Sequence, residues 1–133
     1  MQYYYFTRSG ESQKIATELA ERSQTIPHKI DDGHDWSGAI HFLKAGASSA
    51  RKEKHQISYP KPIENEEILL VFPIWAGSLP PAVRSFLDEN QSAKITAVVL
   101  SAASSLKPVD SDRFAKFYEV KGKNKVAPTL DEG

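Results

Sequence analysis

A short polar stretch near the beginning of the chain has the residue types that bind phosphate. Thr7-Arg8-Ser9-Gly10-Glu11-Ser12 contains three hydroxyl side chains and a glycine, and it follows five bulky residues, 2–6, of which four are aromatic. After it, apolar residues recur at helical spacing, at Ile15, Ala16, Leu19 and Ala20. Because the free N–H groups and the dipole of a helix N-terminus favour an anion, the pattern of strand, hydroxyl-rich turn and helix predicts a phosphate-binding loop.

The composition limits the classes of function. The 133 residues include 17 basic and 17 acidic side chains, so charge gives no general attraction to nucleic acid or membranes. There is no cysteine, which excludes disulfides, thiol catalysis and cysteine-ligated metal, and His34, His41 and His55 have no partners at ligand spacing. No apolar run reaches membrane length, and no leader pattern precedes the first strand. We expect a single domain over residues 1–133, without a metal site, in the cytoplasm.

Strands and helices alternate along the chain. A short edge strand is predicted over 26–30, where Pro27 cannot donate to a ladder, and buried strands are predicted over 68–72 and 95–100. One helix is predicted from apolar spacing at Trp36, Ala39, Ile40, Leu43 and Ala47. Another is opened by prolines and turns four residues inward: Ala82, Val83, Phe86 and Leu87. This alternation predicts an α/β fold with a parallel sheet and right-handed crossovers.

The residues after 105 give weaker patterns. Residues 112–118 fit either a short helix or an irregular stretch, and a final edge strand fits either 118–120 or 125–127. Residues 128–133 are too few for a closing helix of ordinary length. We expect that helix to be missing or truncated, with the exposed sheet face covered by the tail or by a second subunit in a homodimer.

The three strong strands all end in loops of small, hydroxyl-bearing or glycine residues. Pro73-Ile74-Trp75-Ala76-Gly77 follows the second strong strand, and Ser101-Ala102-Ala103-Ser104 follows the third. In a parallel sheet these loops lie at one edge, where ligands of open α/β sheets bind. Trp75 offers a large flat surface for stacking. The sequence therefore predicts a pocket for a flat, phosphorylated aromatic ligand.

At these residues the chain resembles the flavodoxin-like family. Residues 7–12 match its [ST]-x-[ST]-G-x-[ST] phosphate signature, and residues 72–87 are similar to its second flavin loop and the helix behind it. The resemblance covers roughly residues 2 to 105. It implies a flavodoxin-like three-layer sandwich with parallel strand order 2-1-3-4-5.

The resemblance also implies a cofactor and a role for each loop. FMN is bound noncovalently and carries out electron transfer with a redox partner protein or a small-molecule acceptor, without a catalytic side chain. The Thr7, Ser9 and Ser12 hydroxyls, with the N–H groups of Arg8, Gly10 and Glu11, hold the 5′-phosphate, and Trp75 stacks on the flavin ring. The ring edges and ribityl chain are reached by backbone groups of the second and third loops: Pro73, Ile74, Ala76, Gly77, Ser101, Ala102, Ala103 and Ser104.

Other interpretations of the same residues stay open. Ser9 or Ser12 could simply cap the helix, Trp75 could be a core residue, and the serines after residue 100 could be turn formers. The neutral charge differs from the acidic character of typical electron-shuttle flavodoxins. An NAD(P)H-dependent flavin or quinone reductase, or a binding module of the same fold without cofactor, therefore remains an alternative.

Overall fold

The structure is a computed structural model that describes residues 1–33, 57–74, 77–123 and 125–130. It contains five strands, β1 (Gln2–Tyr5), β2 (His28–Lys29), β3 (Ile68–Pro73), β4 (Ile95–Ser101) and β5 (Lys116–Lys121). All pairs are parallel, and the strand order is β2-β1-β3-β4-β5. The predicted order 2-1-3-4-5 is confirmed.

The strands β1, β3 and β4 are buried on both faces because almost every residue in them is apolar. Successive side chains point to opposite faces, so alternate residues enter two separate clusters. Tyr3 and Tyr5 enter one cluster, whereas Tyr4 and Phe6 enter the other. Burial on both faces is typical of a parallel sheet that is covered by helices.

Helices cover the two faces. Helix α1 (Glu11–Arg22) packs on the face of Tyr3, and α2 (Pro81–Glu89) packs on the face of Tyr4. A short helix, α3 (Pro108–Ser111), follows β4. The residues predicted to face inward from α1 and α2 are all buried: Ile15, Ala16, Leu19, Ala20, Ala82, Val83, Phe86 and Leu87. The three-layer sandwich is therefore confirmed.

The prolines at the start of α2 act as predicted. Pro80 is the N-cap residue and Pro81 the first helical residue, where the fixed φ of proline suits the helix and the missing N–H removes one unsatisfied donor. The helix predicted over Trp36 to Ala47 lies outside the described residues.

The edge strands differ in how well the sequence predicts them. Strand β2 lies at one edge, directly after Pro27, as expected. Strand β5 forms the other edge at Lys116–Lys121, so the prediction of a strand near 118–120 is confirmed and the alternative at 125–127 is wrong. The short helix lies at Pro108–Ser111 rather than within 112–118, because Pro108 opens it and Asp110 anchors it in the interior.

No helix follows β5 in the described residues up to 130. Instead, Ala127 and Leu130 pack against the apolar cluster that α1 covers. The tail thus covers part of the face, which was one of the two expected arrangements. In the described ranges, no helix is long and apolar enough to cross a membrane.

Phe86 gives a test of the core on the α2 face. Its side chain is fully buried, and its ring lies 5.3 Å from the Tyr4 ring and 4.8 Å from the Tyr59 ring, between centroids. We expect Phe86→Ala to lower the free energy of unfolding by about 3–5 kcal/mol, measured by urea denaturation, because it leaves a cavity. Phe117→Ala on β5, where the side chain is 41% exposed, is the control and should cost less than about 1 kcal/mol. Equal losses would contradict the assignment of the core.

Candidate functional site

The loops that follow β1, β3 and β4 meet at one edge of the sheet. The strands are parallel and adjacent, with Tyr5 in register with Val71 and Pro73 in register with Leu100. Their carboxyl ends therefore lie side by side. We call residues 6–10 the first loop, 74–80 the second loop and 102–107 the third loop. Except for Trp75 and Ala76, which lie outside the described residues, the predicted site residues gather at this edge.

Gly10 determines the shape of the first loop. It has φ 95° and ψ −10°, a left-handed conformation that glycine adopts without a steric penalty, and a Cβ atom placed there would meet nothing within 4 Å. Its N–H donates to Thr7 Oγ1 over 2.8 Å. The Thr7 oxygen therefore closes the turn that leads into α1, while its O–H proton is free to point elsewhere.

The N-terminus of α1 has no cap from any side chain in the described part of the protein. The alternative in which Ser9 or Ser12 caps this helix is therefore wrong. Helices α2 and α3 also lack side-chain caps, but each begins with a proline, which has no N–H to satisfy. Helix α1 begins with Glu11 and Ser12, which both have an N–H group, so it starts with a donor that α2 and α3 lack at their first position.

Ser12 and Ser9 are placed differently in this turn. Ser12 is 1% exposed, and its Oγ has no hydrogen-bond partner among the described residues. Ser9 is exposed. A buried hydroxyl without a partner is energetically unfavourable, and here it lies in the first turn of a helix that also has free N–H donors. The set of donors fits a phosphate group.

The charged side chain of Arg8 is buried rather than exposed at the surface. Its side chain is 6% exposed, and its Cζ lies 5.3 Å from the centroid of the Phe6 ring. Burial lowers the pKa of Arg8 to about 9, and the nearby charge of Asp32 opposes that shift. The guanidinium thus stays protonated at neutral pH. Its backbone lies in the predicted loop, while its charge lies in the interior beneath it.

The second and third loops touch each other at Gly77. This residue has φ 71°, and a Cβ atom there would lie only 2.9 Å from the Ser105 carbonyl oxygen and 3.8 Å from Lys107 Cε. Both the positive φ and the close approach require glycine. Earlier in the second loop, Ile74 is buried, and its N–H donates to the Leu100 carbonyl. Pro73 ends β3.

The third loop is shaped by its own serines. Ser101 Oγ donates to the Ser104 carbonyl over 2.6 Å, so the interpretation of Ser101 as a turn former is confirmed. Lys121 Nζ donates to Ser105 Oγ. Ala102 and Ala103 are exposed, and Ser104 is half-buried. The small side chains leave the backbone of this loop accessible from the edge of the sheet.

A buried ion pair connects the helices behind the second and third loops. Arg84 Nη1 on α2 lies 3.7 Å from Asp110 Oδ1 on α3, and both side chains are under a tenth exposed. Burial lowers the pKa of Arg84, and the Asp110 carboxylate opposes the shift. Arg84 Nε, Arg84 Nη2 and Asp110 Oδ2 have no hydrogen-bond partner among the described residues. This imperfectly satisfied pair lies just behind the edge where the loops meet.

Sequence reasoning missed the residues that follow β5. The N–H of Gly122 donates to the carbonyls of Ser101 and Ala102, and Lys125 Nζ binds Glu11 Oε2 at 3.1 Å. These contacts bring a fourth segment to the site. No motif marked them, because a glycine and a lysine in a lysine-rich stretch are typical of an exposed tail.

Comparisons with known proteins find similar solved structures. No protein-family model and no curated protein matches the chain. A flavoprotein from Lactobacillus acidophilus, solved in complex with FMN, has a TM-score of 0.71 at 14% identity, covering 91% of this chain and 89% of its own. Two proteins provisionally described as flavoproteins are also similar. The one from Bacteroides uniformis has a TM-score of 0.72 at 17% identity, covering 92% of this chain and 90% of its own. The one from Bacteroides eggerthii has a TM-score of 0.68 at 15% identity, covering 92% of this chain and 85% of its own.

The likeness extends over nearly the full length of these proteins, and at such low identity it bears on the fold alone. It agrees with the five-stranded parallel sheet, the strand order and the helices on both faces. The protein therefore has the flavodoxin-like fold.

Proposed function

We propose that this protein is an FMN-binding flavoprotein that takes part in electron transfer. The observation that carries the proposal is the uncapped N-terminus of α1 behind Gly10, with the buried and unpartnered Ser12 hydroxyl beside it. The similar structure from Lactobacillus acidophilus, which holds FMN, supports the choice of cofactor.

The residues of the first loop fit the phosphate of FMN. The N–H groups of Glu11 and Ser12, the hydroxyls of Thr7, Ser9 and Ser12, and the dipole of α1 all favour a dianion at this point. Gly10 keeps the approach open because it has no Cβ. The second and third loops then hold the ring system, with Trp75 as the stacking residue and the backbone of residues 101–104 at the ring edges.

Bound FMN would supply the redox chemistry, and the chain supplies its environment. The contact of Gly77 with Ser105 fixes the distance between the second and third loops. The hydrogen bond from Gly122 to Ser101 and Ala102 holds the third loop against the end of β5. These backbone contacts position the ring-binding loops without any catalytic side chain.

The partner is either a redox protein or a small-molecule acceptor. The exposed Lys107 beside Gly77 puts positive charge on the rim of the third loop, whereas Lys121 beside Ser105 is paired with Glu119 at 3.6 Å. That charge suits the phosphates of a pyridine nucleotide, which supports the NAD(P)H-dependent reductase as the second candidate.

Absorbance and steady-state kinetics separate these functions. A protein that is yellow as isolated and oxidises NADH or NADPH with a quinone acceptor at enzyme-like rates is a reductase. If it is reduced only through another redox protein, it is an electron shuttle. A colourless protein that does not quench FMN fluorescence on titration would be a binding module without cofactor, and the proposal would be wrong.

We expect the variant Ser9→Ala/Ser12→Ala to bind FMN at least about tenfold more weakly, while riboflavin affinity changes little. The reason is that riboflavin lacks the phosphate, and hydrogen bonds to a charged group contribute about 1.5–3 kcal/mol each. Dissociation constants from flavin fluorescence quenching measure the effect. Thr17→Ala is the matched control, since the Thr17 hydroxyl on α1 donates to the Gln13 carbonyl within the same helix. Equal weakening of both ligands would contradict the phosphate assignment.

Ser12 also gives a prediction for the protein without ligand. Because its buried hydroxyl has no partner in the described part of the chain, Ser12→Ala should not destabilise the apoprotein and should raise its free energy of unfolding by up to about 1 kcal/mol. Urea denaturation of the apoprotein measures this. A clear loss of stability would mean that the Ser12 hydroxyl serves the fold rather than a ligand.

Gly77→Ala should weaken FMN and riboflavin by the same factor, because it moves the ring-binding loops and leaves the first loop intact. The left-handed φ of an alanine costs about 1–2 kcal/mol, and the Ser105 carbonyl must shift as well. Gly33→Ala is the control: Gly33 has φ 76°, but its Cβ would meet nothing within 4 Å. Because alanine is strained at this φ, Gly33→Ala should lower the free energy of unfolding without changing flavin affinity. A selective loss of FMN in Gly77→Ala would contradict the division of roles.

A further inference from the structure

The chain after β5 runs along helix α1 and contacts both of its ends. We call residues 122–130 the strap, of which residue 124 lies outside the described residues. At the start of α1, Lys125 Nζ lies 3.1 Å from Glu11 Oε2. At its end, Arg22 Nη1 donates to the Pro128 carbonyl over 2.7 Å. Between these contacts, Ala127 packs against the apolar cluster under α1.

Lys125 occupies an unusual position for a lysine. Its side chain is only 8% exposed, and its ammonium also donates to the Gly122 carbonyl over 2.6 Å. The N–H of Gly122 in turn donates to the Ser101 and Ala102 carbonyls, at 3.2 Å and 3.1 Å. One buried ammonium therefore links the first turn of α1 to the third loop. Burial of a lysine is costly unless it is paired, so these contacts hold the strap in one place.

The charge of Glu11 explains what this ammonium does. Glu11 is the first residue of α1, directly after Gly10. A carboxylate there suits the helix dipole in the absence of ligand, but it repels a second anion at the same N-terminus. Lys125 neutralises Glu11, and Lys14 and Lys123 line the same cavity of about 240 Å³. The surroundings of the first turn are therefore net positive despite Glu11.

We propose that the strap is part of the phosphate site and that Lys125 is a positioning residue for it. Lys125 masks the Glu11 charge, draws that carboxylate away from the N-terminus of α1, and ties the first turn to the third loop. This inference rests on the proposed binding of FMN. The anion it serves is the phosphate monoester of the cofactor, rather than a separate ligand.

A double-mutant cycle on Glu11 and Lys125 tests the inference. FMN and riboflavin affinities are measured by fluorescence quenching for the full chain and for Lys125→Met, Glu11→Gln and the double variant. Lys125→Met should weaken FMN about fivefold relative to riboflavin, since the pair is partly exposed and screened. In the Glu11→Gln background the same substitution should change the FMN-to-riboflavin ratio little, because no carboxylate remains to be masked.

Arg22→Met is the matched control, because it removes the other contact of the strap at the far end of α1. It should lower the thermal midpoint without changing the FMN-to-riboflavin ratio. If Lys125→Met behaves like Arg22→Met, the role of Lys125 is structural only. If its FMN-selective effect persists in Glu11→Gln, Lys125 acts on the phosphate directly rather than by masking Glu11. Either result overturns the inference. If the unmodified protein binds FMN no more tightly than riboflavin, the phosphate site itself is wrong and both proposals fail.

Discussion

The structure depends on the burial of its central strands from both sides. Strands β1, β3 and β4 contain almost no polar side chain, so each face of the sheet needs a cover. Parallel strands cannot be joined by tight turns, and the crossovers supply α1 and α2 as those covers. The same geometry puts every strand's carboxyl end, and every helix N-terminus that follows, at one edge. The location of the site is thus a consequence of how the core is covered.

This arrangement places the N-terminal polar groups of three helices at that edge. Helices α1, α2 and α3 all begin there without a side-chain cap among the described residues. Ser12, Arg84 and Asp110, which have buried polar atoms without partners among the described residues, also belong to the first turns of these three helices. Pro81 and Pro108 remove one donor each from α2 and α3, whereas α1 has an N–H group at its first position. A ligand that supplies acceptors at α1 would therefore stabilise the protein where its own residues do not.

The sequence predicted what depends on local pattern. The apolar runs of β3 and β4, the prolines before α2 and the hydroxyl–glycine turn at Gly10 each carry their own signal. Together they predicted the parallel sheet and the edge where the loops meet, whereas the strand order came from the family resemblance. What the sequence left open or missed depends on long-range contacts. The strand at Lys116–Lys121 is mostly exposed, so it lacks the apolar run of a buried strand. The short helix at Pro108 is held by the ion pair of Asp110 with Arg84, two residues that are 26 positions apart in the sequence. Neither Gly122 nor Lys125 belongs to a motif, and their contacts exist only after β5 has paired with β4.

The strap contributes both to the apolar cover of one sheet face and to the charges at the first turn of α1. Among its described residues, Ala127 and Leu130 pack on the apolar cluster under α1. Lys125 reaches the first turn of α1, and the Pro128 carbonyl accepts a hydrogen bond from Arg22 at the other end of the helix. The same segment therefore covers part of one sheet face and balances the charge beside the proposed phosphate site.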